Sequence, residues 1–562
     1  MAEGSSQSRF GGLAVYFDRR IAIMLALGFA AGLPFLLIFD TLSAWLRESG
    51  LSLEVIGFFS LATLSYAFKF VWAPLVDRAR VPVLSHWLGQ RRSWMLIAQI
   101  AIIAGLWAIS VSDPAANLGI VALFAVLTGF ASATQDIAMD AWRIEVSQEH
   151  EQGAMVAAYT WGYRISRIVA GVLPLVLAQA YSWSLSYFVM ALLMGIGVVA
   201  VLLAPREPAV SPRAIPDAGV PYRPLVDRFE WAVRLLILAF GALLLGSGLS
   251  ARADMLALPF PEDAATTLKT IWRAPGIGVW IQLLGVIAGF AFIVLAAWPV
   301  PGKRTRPGVF LSHAFGDPLV DFFQRYRGQA MLIIAAICMY RVSDFTLNIM
   351  NPFYLDVGFT LVEIAEMRKI YGVVMTMAGV FLAGLAIARW GLMKSFLVGA
   401  IIGPLSNLTF AWLATQGPDL VSLGVAIGIE NISDGFSGTC LIAFMSSLTA
   451  EGFTATQYAL FTSLYAIPGK LAGSQSGRIV ESGALGAADG GLLASLMRLF
   501  DGLPSSVFAD GAAKLGVSPA ALGAGYMAFF VYTSLLGLVA IALAVAVVRR
   551  RAGLTALSAN TP

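Results

Sequence analysis

Gly129-Phe-Ala-Ser-Ala-Thr-Gln-Asp-Ile-Ala-Met-Asp-Ala-Trp-Arg-Ile-Glu145 decides how the rest of the chain is read. The apolar run Ile120 to Phe130 leads into it without a turn signal and continues into Gln135, Asp136, Asp140, Arg143 and Glu145. On a helix, Asp136 and Asp140 share one face, because residues four apart are neighbours. A carboxylate at bilayer depth costs roughly 2.5–3.5 kcal/mol on insertion scales, so it is turned inward and put to use. The stretch therefore predicts a membrane helix with a working polar face.

Composition agrees. Of 562 residues, 58% are hydrophobic and 12% charged, against about 25% charged in a soluble protein. At about 20 apolar residues per span, the length accommodates a dozen or more. The net charge of +4 is spread over many short loops, which argues against a nucleic-acid surface. Cys338 and Cys440 fall in apolar runs and read as small core residues. The polar segment before Ile21 reads as preceding a retained first span rather than a cleaved signal.

Outward from that helix, the apolar runs predict spans at Ile21–Leu46, Leu53–Val76, Ser93–Val111, Leu118–Ala141, Gly153–Ala180 and Trp183–Leu203. The Pro-rich segment Pro205–Pro224 reads as a linker. Two further runs, Trp231–Leu249 and Gly278–Trp298, follow it. Six more are Gly328–Tyr354, Leu361–Ala388, Lys394–Leu413, Leu420–Ser446, Thr454–Val480 and Ala521–Val548. The expectation is thus about fourteen spans. Lys and Arg gather in alternate loops, including Asp77–Arg92 and Lys303–Arg327, which places those loops and both termini in the cytoplasm. Leu492, Leu493, Leu496, Leu499 and Phe500 predict a short amphipathic helix in the outer segment Glu481–Pro519, for interfacial packing or as a lid.

The two ends of the chain echo each other. Gly50-Leu-Ser-Leu-Glu-Val-Ile parallels Gly358-Phe-Thr-Leu-Val-Glu-Ile, which sets Asp40 against Asn348. Arg167-Ile-Val-Ala-Gly parallels Lys470-Leu-Ala-Gly. Such repeats are a habit of secondary transporters. The expected fold is an all-α polytopic membrane protein of two six-helix halves plus two extra helices. Its parts are residues 1–204, an insert at 205–327, a second bundle at 328–548 and a tail at 549–562.

In that arrangement the polar residues at depth fall on matching helices. Asp40, Asp136, Glu430 and Asp434 are the candidates for carrying a proton, since His86, His150 and His313 all lie in loops. Gln135, Arg164, Arg167, Asn348, Asn431, Lys470 and Gln475 are candidate substrate contacts. Trp45, Tyr159, Tyr163 and Tyr340 offer rings for sugar faces. Lys69, Asp77, Arg78, Arg91, Arg92, Asp140, Arg143, Glu145, Arg341 and Asp344 read as gating pairs; for several of these a structural salt-bridge network is the plainer reading. The sequence has no phosphate-binding glycine loop, metal-ligand cluster or nucleophile–base pair. No cofactor is expected.

The loop Ala73-Pro-Leu-Val-Asp-Arg followed by Gly89-Gln-Arg-Arg resembles the loop signature of the major facilitator superfamily, with a longer gap between Arg78 and Gly89. Several segments resemble the AmpG muropeptide permeases within it: Gly28-Phe-Ala-Ala-Gly-Leu-Pro, Ile56-Gly-Phe-Phe-Ser-Leu, Phe68-Lys-Phe-Val-Trp-Ala-Pro-Leu, Ser132-Ala-Thr-Gln-Asp-Ile, Asp140-Ala-Trp-Arg, Gly162-Tyr-Arg and Phe453-Thr-Ala-Thr-Gln-Tyr-Ala-Leu. The resemblance implies a monomeric permease of a bacterial inner membrane. It would import N-acetylglucosamine–anhydro-N-acetylmuramic acid, with or without peptide, together with protons, serving peptidoglycan recycling and β-lactamase induction. In familiar members the two extra spans lie toward the C-terminus, whereas this sequence sets them between the halves. A transporter of another anionic solute, such as an acyl-coenzyme A or an antibiotic, is the alternative. A membrane-embedded glycosyltransferase is the remote one.

Overall fold

The computed structural model describes residues 15–49, 66, 69–114, 118–208, 220–221, 223–250, 253–257, 259–274, 277–298, 304–473 and 476–559. Before the insert run α1 (Arg19–Leu36), α2 (Leu42–Glu48), α3 (Ala73–Arg78), α4 (Gln90–Ser110), α5 (Leu118–Val146), α6 (Gln152–Ala180), α7 (Trp183–Leu193) and α8 (Gly195–Leu203). The insert holds α9 (Pro224–Ser250), α10 (Glu262–Trp272), α11 (Ile277–Ala297) and α12 (Asp317–Arg325). The second half has α13 (Ala330–Met339), α14 (Met350–Val357), α15 (Gly372–Trp390), α16 (Leu392–Ser406), α17 (Leu420–Ser447), α18 (Thr454–Gly473), α19 (Ser476–Ala488) and α20 (Pro519–Ala559). No strand occurs among the described residues. Eight of the described helices are long and apolar enough to cross a membrane. The expected span Leu53–Val76 lies mostly outside the described residues.

The ends of these helices are set by local chemistry. Asp18 caps α1 by accepting from the Arg20 amide at 2.7 Å, and Asp419 caps α17 by accepting from the Ser422 amide at 2.7 Å. Gly358 closes α14 in the left-handed region, at φ 109°. Thr360 and Glu363 then open the next helix with a reciprocal capping box.

Small residues fix how the helices meet. A Cβ on Gly28 would lie 2.3 Å from the Tyr159 carbonyl oxygen, and one on Gly162 would lie 2.0 Å from that of Leu25. Backbone therefore touches backbone between α1 and α6, which lets two membrane helices pack without a water-driven hydrophobic term. The insert is a hairpin: α9 and α11 close on each other at Gly241, Gly248 and Gly289. Its apolar face rests on the first half, with Phe290 stacked 6.1 Å from Phe70, and α9 also touches α18 of the second half.

One irregularity appears twice. After Pro34, α1 passes into a π-helical turn, Leu37–Thr41, and the helix preceding α14 passes through a 3-10 turn, Thr346–Ile349. These are the segments that hold Asp40 and Asn348, the pair matched by the sequence repeat. Neighbouring side chains attend to the first break. Tyr187 donates to the Leu37 carbonyl at 2.8 Å, and Thr41 donates to that of Ala170 at 3.1 Å. Near the second, Asn407 donates to Thr533 at 3.1 Å.

The segment expected to form an amphipathic helix is a 3-10 helix, Leu492–Phe500. Phe500 is buried, while Leu492 is almost wholly exposed. The following chain is tied to α14 by Phe508, whose amide donates to the Asp356 carbonyl at 2.6 Å.

Candidate functional site

At the end of the bundle bearing the Ala73–Arg92 loop, bonds cross between the halves. Pro74 opens α3 and sets Asp77 in its last turn. Gly89, at φ 95°, turns the chain into α4; a Cβ there would meet the Glu207 carboxylate at 2.5–2.8 Å. Arg91 follows it and donates to Asp77 and to Glu145, each at 2.7 Å. Arg92 closes the C-terminus of α8 by donating to Val201 and Leu202 carbonyls at 2.9 and 2.8 Å. Asp77 has a second role. Its carboxylate accepts from the Ala455 amide at 3.1 Å, the Thr456 amide at 2.7 Å and the Thr456 hydroxyl at 2.5 Å. A carboxylate of the first half thus caps a helix of the second. Arg78 donates to the His313 carbonyl at 2.6 Å and sits 3.5 Å from Asp317, which ties the loop to the insert.

A second clamp lies deeper along the same seam. Arg143, fully buried, donates to Gln152 at 2.8 Å and across to Ser446 at 3.1 Å, and lies over the Tyr458 ring at 5.4 Å. Asp140 stands between two cations, 3.6 Å from Arg143 and 3.7 Å from Lys69. Tyr16 and Trp161 donate to the Phe381 and Met377 carbonyls of α15 at 3.1 and 3.0 Å. Two cavities of about 250 and 340 Å³ flank this end, each lined from both halves.

Further inside, each half presents a different chemistry. The first offers rings and cations: the Arg167 guanidinium lies 5.7 Å from the Phe35 ring and 6.0 Å from the Tyr163 ring. Tyr159 and Tyr163 are 5.8 Å apart, and Tyr66 donates to Ser132 at 2.7 Å. Asp136 interacts electrostatically with these tyrosines and with Lys69. The second half offers carboxylates and amides. Arg341 bonds Asp344 at 2.9 Å and also bonds Asp434. Asn431 donates to Glu430 at 2.6 Å and accepts from Thr376 at 2.9 Å. Arg164, from α6, lies within electrostatic reach of Asp434 and Arg341 across the seam.

Arg341 holds two acidic groups in a partly exposed cluster. Arg341→Ala is expected to destabilise the fold by about 1–3 kcal/mol, because it leaves charged hydrogen-bond partners unsatisfied. Thermal unfolding in detergent would measure it. The double variant Arg341→Ala/Asp434→Asn should recover part of that loss; no recovery would mean the pairing is not the cause.

Other predicted residues are placed elsewhere. Trp45 is buried, stacked 5.8 Å from Trp183. Tyr340 is buried, stacked on Phe396 and donating to its carbonyl at 2.6 Å. Both are committed to core contacts. Gln135 is fully buried, as are Thr128 on its own helix face and Gln99 on α4. The side chains of Asp40, Asn348 and Lys470 lie outside the described residues, as does Gln475 entirely. Tyr66, Phe35, Thr376, Thr456 and Tyr458 were not singled out by sequence reasoning. Tyr66 carried a usable signal, standing three residues before Lys69.

Residues 10–264 match the family model described as Major Facilitator Superfamily. The anhydromuropeptide permease of Escherichia coli K12 is 29% identical over 84% of this chain and 76% of its own length. A Rickettsia conorii transporter named AmpG 4 is 26% identical over 83% of this chain and 91% of its own. Among solved structures, the proton:xylose symporter XylE aligns at 10% identity and a TM-score of 0.49, over 92% of this chain and 94% of that one. The chain is thus an all-α multi-pass membrane protein that is similar over residues 10–264 to the major facilitator superfamily and over most of its length to AmpG-type permeases.

Proposed function

We propose that the protein imports anhydromuropeptides, namely GlcNAc–anhydroMurNAc with or without peptide, by alternating access and in company with protons. The observation that carries the reading is the α6 face, where Tyr159, Tyr163 and Arg167 stand one turn apart and Arg164 points toward the other half. A muropeptide is a large polar solute with sugar faces and carboxylates. Rings suit the first, and guanidinium groups bind carboxylates with charge-assisted hydrogen bonds. The name of the Escherichia coli relative supports the same substrate class.

On this reading residues 1–204 and 328–548 are the rocking bundles and 205–327 the insert. The clamped, Arg-rich end faces the cytoplasm, in keeping with the positive-inside rule. The bonded seam at that end then corresponds to a carrier closed toward the cytoplasm. Asn431 contributes to the substrate wall from the second half. Buried carboxylates supply the proton sites.

The test is uptake of labelled GlcNAc–anhydroMurNAc into proteoliposomes with and without an inward proton gradient. Accumulation that collapses with a protonophore is expected; no uptake in either condition, by protein shown to be folded, would sink the substrate assignment. Arg167→Ala should raise KM by about 10- to 100-fold, matching the roughly 1.5–3 kcal/mol of a charged hydrogen bond. An unchanged KM removes Arg167 from the site.

A further inference from the structure

We propose that Lys69 is a toggle which divides its charge between Asp136 and Asp140 and so passes the proton occupancy of Asp136 to Arg143, the bar across the cytoplasmic seam. The inference rests on the proton-coupled reading above and names how the proton would reach the gate.

The geometry has three parts. First, Asp136 Oδ1 is buried and has no hydrogen-bond donor among the described residues. A charged carboxylate in that position lacks the donors that would stabilise it, whereas a protonated one needs none at that oxygen. Second, Asp136 and Asp140 are one turn apart on α5, and Lys69 interacts with both. Third, Asp140 is contested. Its cations stand at 3.7 Å (Lys69) and 3.6 Å (Arg143), where an uncontested charged hydrogen bond closes to about 2.7–2.9 Å. Neither cation has won.

The facing groups among the described residues come from several elements. Asp136 is faced by Tyr66 and Lys69, by Tyr159 and Tyr163 of α6, and by Asp140 of its own helix. Asp140 is faced by Lys69, Arg143, Tyr159 and, from α18, Tyr458. Among the described residues, Lys69 is the cation shared between them.

The consequence follows from competition. With Asp136 ionised, Lys69 is drawn toward it, and Asp140 is left to hold Arg143 against Ser446 and Tyr458. The gate stays shut. A proton arriving from the outer side neutralises Asp136; Lys69 then settles on Asp140 and displaces Arg143. The seam is released, and the proton leaves from Asp136 to the cytoplasm once that side is open. Protonation thereby favours cytoplasmic opening, as import with a proton requires.

Glu149 and Glu451 are exposed and line the 340 Å³ cavity from the first and second halves respectively. Spin labels on Glu149→Cys and Glu451→Cys, with Cys338→Ala and Cys440→Ala, report the seam by pulsed electron resonance. In the otherwise unchanged protein, the long-distance fraction should grow severalfold as pH falls from about 8 to about 5. Asp136→Asn should hold the open distribution at every pH. Lys69→Met should abolish the pH response while Lys69→Arg keeps it, with monodisperse elution showing each variant folded. A response surviving in Asp136→Asn would place the proton elsewhere and overturn that part of the reading. A response surviving in Lys69→Met, but lost in Asp136→Asn, would overturn the toggle alone.

Discussion

Asp77→Asn is expected to open the clamped end of the bundle and to remove most transport. The carboxylate is almost wholly buried and joins elements from both halves: Arg91 on one side, the first turn of α18 on the other. The amide side chain keeps the size but loses the charge and one acceptor. A lost helix cap costs about 0.5–2 kcal/mol, and a broken buried pair costs about 3–5 kcal/mol. These overlap, so about 3 kcal/mol is a fair sum, a shift of roughly two orders of magnitude between closed and open forms. Because Glu145 still holds Arg91 at 2.7 Å, the first half should stay folded. The measurement is the alkylation rate of Ser446→Cys by a hydrophilic maleimide. Ser446 is buried behind Arg143 in the closed form, so its labelling should accelerate as uptake falls. Unchanged labelling beside unchanged uptake would show that the cap is not a latch.

Gly384→Leu should have an effect of similar size by a different cause. A Cβ at Gly384 would sit 2.1 Å from the Tyr16 hydroxyl and 3.1 Å from the Gly153 carbonyl oxygen. From the other side, a Cβ on Gly153 would sit 2.9 Å from Gly384 Cα. Neither helix can yield without parting the seam, because the obstacle is largely backbone. Overpacking of this kind costs about 1–3 kcal/mol, and it falls on the closed form alone, since the open form separates α6 from α15. Uptake should drop by about tenfold or more. Gly424→Ala is the control: nothing stands within 4 Å of a Cβ there, so the added methyl should leave uptake unchanged. Equal loss in both variants would point to a general fault in folding rather than to the seam.

How much of this was legible beforehand differs residue by residue. The loop Ala73–Arg92 announced itself, because its charges are adjacent in sequence. That Asp77 reaches the start of α18 did not, because its partners are nearly four hundred residues on and offer only backbone amides and a threonine. Phe453-Thr-Ala-Thr-Gln was noticed as a pattern, but a helix N-terminus carries no sign of which carboxylate will cap it. Trp45 and Tyr340 were read as sugar-stacking rings, yet both are locked into aromatic stacks. Arg47 and Glu48 follow Trp45, and Arg341 and Asp344 follow Tyr340, so nearby charge did not distinguish a ring facing a cavity from one packed in the core. Asp136 and Asp140 were the opposite case. A charge at bilayer depth must face inward whatever surrounds it, and the structure sets both beside Lys69.

The paired interruptions in the first helix of each half carry a mechanical consequence. An unbroken helix transmits tilt from one end to the other like a lever, so both mouths of a carrier would have to move in step. At Leu37–Thr41 and at Thr346–Ile349 the regular hydrogen-bond ladder lapses, and bending there strains few bonds. The outer stub of each of these helices is thereby freed from its inner shaft. The shafts are not free: α1 is keyed to α6 by contacts between backbones. On the import reading proposed above, the outer mouth would then fold down over a captured solute while the bonded inner end still holds, which would give the carrier a sealed stage between its two open ones.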